Sequence, residues 1–225
     1  MVFMSPVVAS DGLRQSASHI LQKLKIEQFE LEQEMKLFGQ PSLLVVFLHR
    51  QPLSDFINRF LQSNPGFSYA DVIAGHVFLQ GEFESAHAVL HLQATSNNSF
   101  KGELSLVKQA GHDNTLKQPL NVYREQFASR FVAWMPVGAQ LLMDLEIPGK
   151  QATLQQVYLL DQTPAETSAL IKEKLLAAQW LANMETDAVG NMGVWRKENT
   201  LLYVYVHALK NKTGVYLMKT KQAQG

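Results

Sequence analysis

The stretch Gly193–Thr220, GVWRKENTLLYVYVHALKNKTGVYLMKT, decides the fold. It reads as three short strands separated by KENT and NKTG. Val, Tyr, Trp and Leu favour a half-buried pleated chain, whereas Asn, Thr and Gly favour turns. Successive side chains in a strand point to opposite faces. Leu202, Val204, Val206 and Ala208 therefore form one aliphatic face, and Tyr203, Tyr205 and His207 form the other. Tyr216 and Met218 in the next strand are expected to join the tyrosines, and Trp195 is set with them. The aliphatic face suits packing on a helix. The aromatic face suits side chains with one end buried and the other in water, as at protein interfaces.

A helix stands upstream. Thr163-Pro164-Ala165-Glu166 has a capping Thr, Pro at the first helical position and Glu three residues after the cap, and Leu170, Ile171, Leu175 and Ala178 follow as an apolar stripe. Before it, LQQVYLLDQTP (Leu154–Pro164) parallels SLLVVFLHRQP (Ser42–Pro52): Val157 and Val45 differ by 157 − 45 = 112, and Pro164 and Pro52 by 164 − 52 = 112. After Pro52, Leu53, Phe56, Ile57, Phe60 and Leu61 have helical spacing. Gly75–Lys108 then corresponds to the opening stretch, with offsets of 193 − 75 = 118 and 219 − 108 = 111, as loop insertions produce. Ahead of each copy lies one more alternating segment, Phe29–Leu37 and Ala139–Ile147. In the first, Phe29, Leu31, Met35 and Leu37 read as one side and Glu30, Glu32 and Glu34 as a solvated edge.

The expected fold class is α+β: two tandem β-β-α-β-β-β lobes, each an antiparallel sheet with one helix packed on one face, plus an N-terminal helix over about Leu13–Lys25. The boundaries are 1–27 for an N-terminal segment, 28–108 for the first lobe, 109–136 for a linker and 137–225 for the second lobe. Val7-Val8-Ala9 before Ser10 has the small-residue pattern of an export-signal cleavage site, without a basic leader or a full apolar core, so residues 1–9 read as a possible export-signal remnant.

Lys+Arg and Asp+Glu are 20 each, so the net charge is zero and a basic nucleic-acid face is not expected. The absence of Cys removes disulfides, thiolate metal sites and Cys nucleophiles. No apolar run reaches the roughly 18 residues a membrane span needs. No phosphate loop, dinucleotide fingerprint or HExxH pattern is present. GFSYA (Gly66–Ala70) falls short of a nucleophile elbow and reads as a solvated turn. His87 and His91 have metal-ligand spacing for a helix, but in a strand they stand about 13 Å apart, too far for one ion. They read as solvent-facing or interfacial, and His76 and His207 have no acidic partner evident in sequence.

No catalytic, cofactor-binding or metal residues are expected, and no cofactor. The order of strand pair, helix and three-strand meander resembles helix-on-sheet modules of secretion and outer-membrane machines, a likeness of architecture that carries no residue over. The expected function is a non-enzymatic protein-interaction or accessory module of a bacterial envelope assembly, periplasmic or otherwise extracytoplasmic, with cytoplasmic placement as the alternative. Its interaction face would be Trp195, Tyr203, Tyr205, His207, Tyr216 and Met218, unless that face packs within the chain. The competing reading is a small-ligand binder or enzyme with a site between the lobes, lined by Trp134, Trp195 and His207.

Overall fold

The computed structural model describes residues 11–63, 66–73, 75–83, 86–96, 98–108, 130–149, 151–183 and 192–221. Residues 1–10, which hold the export-signal pattern, and residues 109–129 of the expected linker lie outside these. The described residues form an α+β protein of three helices and twelve strands with antiparallel pairing. The chain divides into two compact units, residues 1–36 with 40–113 and residues 37–39 with 114–225.

The first unit contains α1 (Asp11–Lys23), β1 (Leu31–Leu37), β2 (Gln40–His49), α2 (Leu53–Ser63), β3 (Phe67–Ile73), β4 (His76–Phe83), β5 (Ala86–Ser96) and β6 (Ser99–Lys108), with strands in the order β3-β4-β5-β6-β2-β1. Its core joins one face of the sheet to both helices. Ala86, Ala88, Leu90 and Leu92 of β5, Phe100, Leu104 and Leu106 of β6, and Leu43, Val45 and Phe47 of β2 meet Leu13, Ala17 and Ile20 of α1 and Phe56 and Phe60 of α2. Position 102 on this core face is a glycine because the Phe47 ring occupies the space a side chain would need. Strict alternation in β5 and β6 produces the core face, as the period of two requires.

Two expectations change here. GFSYA is not a turn: Gly66, at φ +98°, leads into β3, and Phe67 is buried. The meander after α2 therefore has four strands, not three, since Gly66 adopts the positive φ that leads into β3. The Glu residues of β1 are also not simply a solvated edge. Arg14 of α1 bridges Glu32 at 3.0 Å and Glu34 at 2.7 Å, while Leu31 is 44% exposed. Alternation sorts the residues of β1 into two sides, and the adjacent helix supplies the cation that makes the acidic side its partner.

The second unit contains β7 (Gln140–Ile147), β8 (Thr153–Leu160), α3 (Pro164–Ala177), β9 (Leu181–Ala182), β10 (Met192–Lys197), β11 (Thr200–Leu209) and β12 (Lys212–Lys221), in the order β9-β10-β11-β12-β8-β7. The two-residue β9 is an element beyond the expected meander. α3 starts with a complete capping box: Glu166 N donates to Thr163 Oγ1, and Thr163 N donates to Glu166 Oε2 at 3.0 Å. Ile171 and Leu175 of α3 pack with Leu202, Val204, Val206, Val215 and Leu217. The aliphatic face of the opening stretch is thus core at Leu202, Val204 and Val206, joined by Val215 and Leu217, whereas Ala208 near the end of β11 is exposed. No helix among the described residues is long and apolar enough to cross a membrane.

Candidate functional site

Pairing in the second unit builds a continuous surface on the sheet face opposite α3. Tyr205 stands across from Tyr216, Tyr216 from Val157, and Val157 from Met143. The adjacent row runs Val194, Tyr203, Met218, Gln155, Leu145. Tyr205 is 40% exposed, its ring stacks with His207 at 6.0 Å and 15°, and Tyr203, Tyr216 and Met218 are half-buried. Tyr216 Oη donates to Gln155 Oε1 at 3.2 Å, and burial pushes its phenol above the ordinary tyrosine value. These two rows contain no charged side chain.

Five of the six residues read from sequence, Tyr203, Tyr205, His207, Tyr216 and Met218, therefore share one face. Trp195 does not. The two-residue loop Glu198-Asn199 pairs Lys197 with Thr200, which sets Trp195 opposite Leu202 and buries it in the core at 7% exposure. Val194 takes its place beside Tyr203. Trp134 packs against the same core, so Trp134, Trp195 and His207 do not converge on a common lining.

In the first unit the sheet face away from the helices has different chemistry. Across β3 to β2, one row is Asp71, Phe78, His91, Glu103, Val46, and the next is Ile73, His76, Gln93, Lys101, Leu48. Here His76 Nδ1 lies 2.8 Å from His91 Nε2, His91 Nδ1 lies 3.0 Å from Glu103 Oε2, and Lys101 Nζ donates to Glu103 Oε1 at 2.6 Å. Phe78 stacks flat on His91, at 4.7 Å and 11°. The hydrogen bond from Lys101 foremost, and then that from His91, holds the Glu103 carboxyl below the usual range. His91 thus has an acidic partner and His76 an imidazole partner, neither of which spacing along the chain reveals. His87 stands two rows away, across from Glu82 and Val107, as strand spacing requires.

A third cluster anchors the segment before β7. Arg130 pairs with Asp144 and Glu146. Gln156 Nε2 donates to Asp144 Oδ1 at 2.8 Å and to the Arg130 carbonyl at 2.9 Å. Tyr158 Oη donates to Gln156 Oε1 at 3.1 Å and accepts from Val132 N at 3.3 Å. Asp144, Gln156 and Tyr158 are fully or almost fully buried, and burial pushes the Tyr158 phenol up to about 12. Each of these polar groups has a partner, so the cluster acts as a positioning network, with no reactive group left free.

An open cleft of about 520 Å³ is lined by Lys25, Glu27, Phe29, Glu30, His49 and Arg50. Its charged residues are all exposed, so it offers no desolvated charge to fix a small ligand. Among the described residues no group of three or more His, Cys, Asp or Glu is arranged to hold a metal ion. Comparisons with protein-family models, curated proteins and solved structures return no match.

Proposed function

We propose that this chain is a non-enzymatic protein-interaction module, an accessory part of a larger envelope-associated assembly, and that the second unit supplies its binding face. One observation carries the reading: Tyr203, Tyr205, Tyr216 and Met218 form an uncharged surface continuous with Val157, Met143 and Leu145, on the sheet face opposite the helix. Aromatic and Met side chains on a charge-depleted patch are the composition of an interface core. We read the corresponding strand orders of the two units as two tandem copies of one helix-on-sheet architecture. On that reading the copies share an aliphatic core face and differ on the other face, ionic in the first and aromatic in the second. The envelope setting is supported by the apolar-to-polar switch at Ala9 in the sequence.

The test places a photo-crosslinking side chain at Tyr205 and, as a control, at His87 on the other unit's ionic face. A defined protein adduct is expected from position 205 alone. It is expected to be lost when Tyr203→Ser and Met218→Ser are added, with circular dichroism and the unfolding midpoint preserved. Unfolding of the Ser variants without a specific loss of the adduct would assign the face to internal packing instead.

A further inference from the structure

The row of hydrogen bonds on the first unit's ionic face is not used by the proposed interaction surface, and its proton count has a consequence. Glu103 is an acceptor in its ionised form, so His91 Nδ1 carries a proton toward it. A neutral imidazole has one donor and one acceptor nitrogen, whereas a protonated one has two donors. The 2.8 Å contact between His91 Nε2 and His76 Nδ1 therefore holds one proton between the two nitrogens. The pair accommodates one added proton, on the outer nitrogen of His76 or on His91, and the contact survives. It does not accommodate two, because the facing nitrogens would then both carry hydrogens and two cations would abut.

The side that yields is His76. His91 is held by Glu103 on one edge and by the flat stack of Phe78 on its face. His76 has no carboxylate partner among the described residues. It is the first residue of β4, directly after Gly75 at φ +82°, and β4 pairs with β3, the last strand in the order. The other charged and titratable groups on this face are Tyr69 and Asp71 of β3, Glu82 of β4, His87 of β5, and Lys101 and Glu103 of β6, with Glu30 acting on Lys101 from just before β1, while β2 adds the uncharged Val46 and Leu48. Glu103 is already shared with Lys101, so it is not free to neutralise a second imidazolium.

We infer that the His76–His91 contact is an acid-released latch on the β3–β4 hairpin, closed while the two rings share one proton and open once both are protonated. Histidine is the side chain suited to such a change near physiological pH.

The experiment follows the imidazole nitrogens of the full chain by ¹⁵N NMR and backbone amide exchange between about pH 7.5 and about pH 5. Exchange is corrected for its intrinsic pH dependence. The amides of Val77 and Phe78 are expected to exchange about tenfold faster at the acid end relative to those of β5 and β6, the effect of losing one hydrogen bond. The change should coincide with the loss of the acceptor nitrogen signal. His76→Gln is the decisive variant, because an amide offers both a donor and an acceptor and bonds His91 in either protonation state. It should abolish the acid response while leaving the fold intact. Equal acid acceleration in the wild type and His76→Gln, or no acceleration in the wild type once both rings are protonated, would overturn the latch.

Discussion

Tyr158 shows how much one side chain contributes in the second unit. Its ring fills the core and its hydroxyl closes a chain that runs through Gln156 to Asp144 and Arg130. Tyr158→Phe removes the hydroxyl and leaves Gln156 Oε1 and Val132 N without that partner, so a loss of about 1–3 kcal/mol is expected in denaturant unfolding. The pH dependence follows from the raised phenol. A group whose folded value lies above its unfolded value stabilises fully below the unfolded value, about 10 for tyrosine. That contribution disappears as pH rises through about 12. In an alkaline absorbance titration Tyr158 should therefore ionise late, and the variant should lack that last step.

His91 shows why part of this chemistry is hidden from a reading along the chain. Its partner is decided by register. Ser96 pairs with Ser99, a sum of 96 + 99 = 195, which continued unchanged would set His91 against Leu104. The irregularity between Ala94 and Ser96 shifts the sum to 91 + 103 = 194 and brings Glu103 opposite. Alternation contains half of the answer. The core residues of β5 and β6 are even-numbered, so the sum has to be even, but 194 and 196 satisfy this equally and the latter would select Ser105.

At the scale of elements, α3 is the most legible. Its cap, first-turn Pro and reciprocal Glu are local features, and each forms as the sequence implies. Thr163→Ala is expected to cost about 1 kcal/mol by removing the cap, measured as a lower denaturation midpoint at unchanged slope. β3 is the least legible, because a short segment after Pro-Gly has turn composition and becomes a strand only by pairing with β4. Trp195 belongs to this scale as well. A two-residue loop pairs odd with even positions between β10 and β11, so the odd-numbered tyrosines stand beside Val194 and Trp195 turns to the core.

For the whole molecule, the described core consists of two hydrophobic clusters with no member in common. Leu90→Ala in one and Leu175→Ala in the other each truncate a fully buried leucine, and each is expected to cost about 2–5 kcal/mol. The double variant should equal the sum within about 0.5 kcal/mol, the expectation for sites that share no partner. A larger deviation in equilibrium unfolding would show that the two cores are energetically coupled.

The sequence by itself determined the α+β class, α1 and α3 nearly to their ends, and the aliphatic core face of Gly193–Thr220. These follow from periods of two and 3.6 and from caps, all of which act between residues close in the chain. Only the tertiary structure decided which residues meet across strands: Tyr205 with Tyr216, Trp195 with Leu202, His91 with both Glu103 and His76. The physical reason is that strand register depends on loop length and on single-residue irregularities. A shift of one residue changes every cross-strand partner while leaving the pattern along each strand the same.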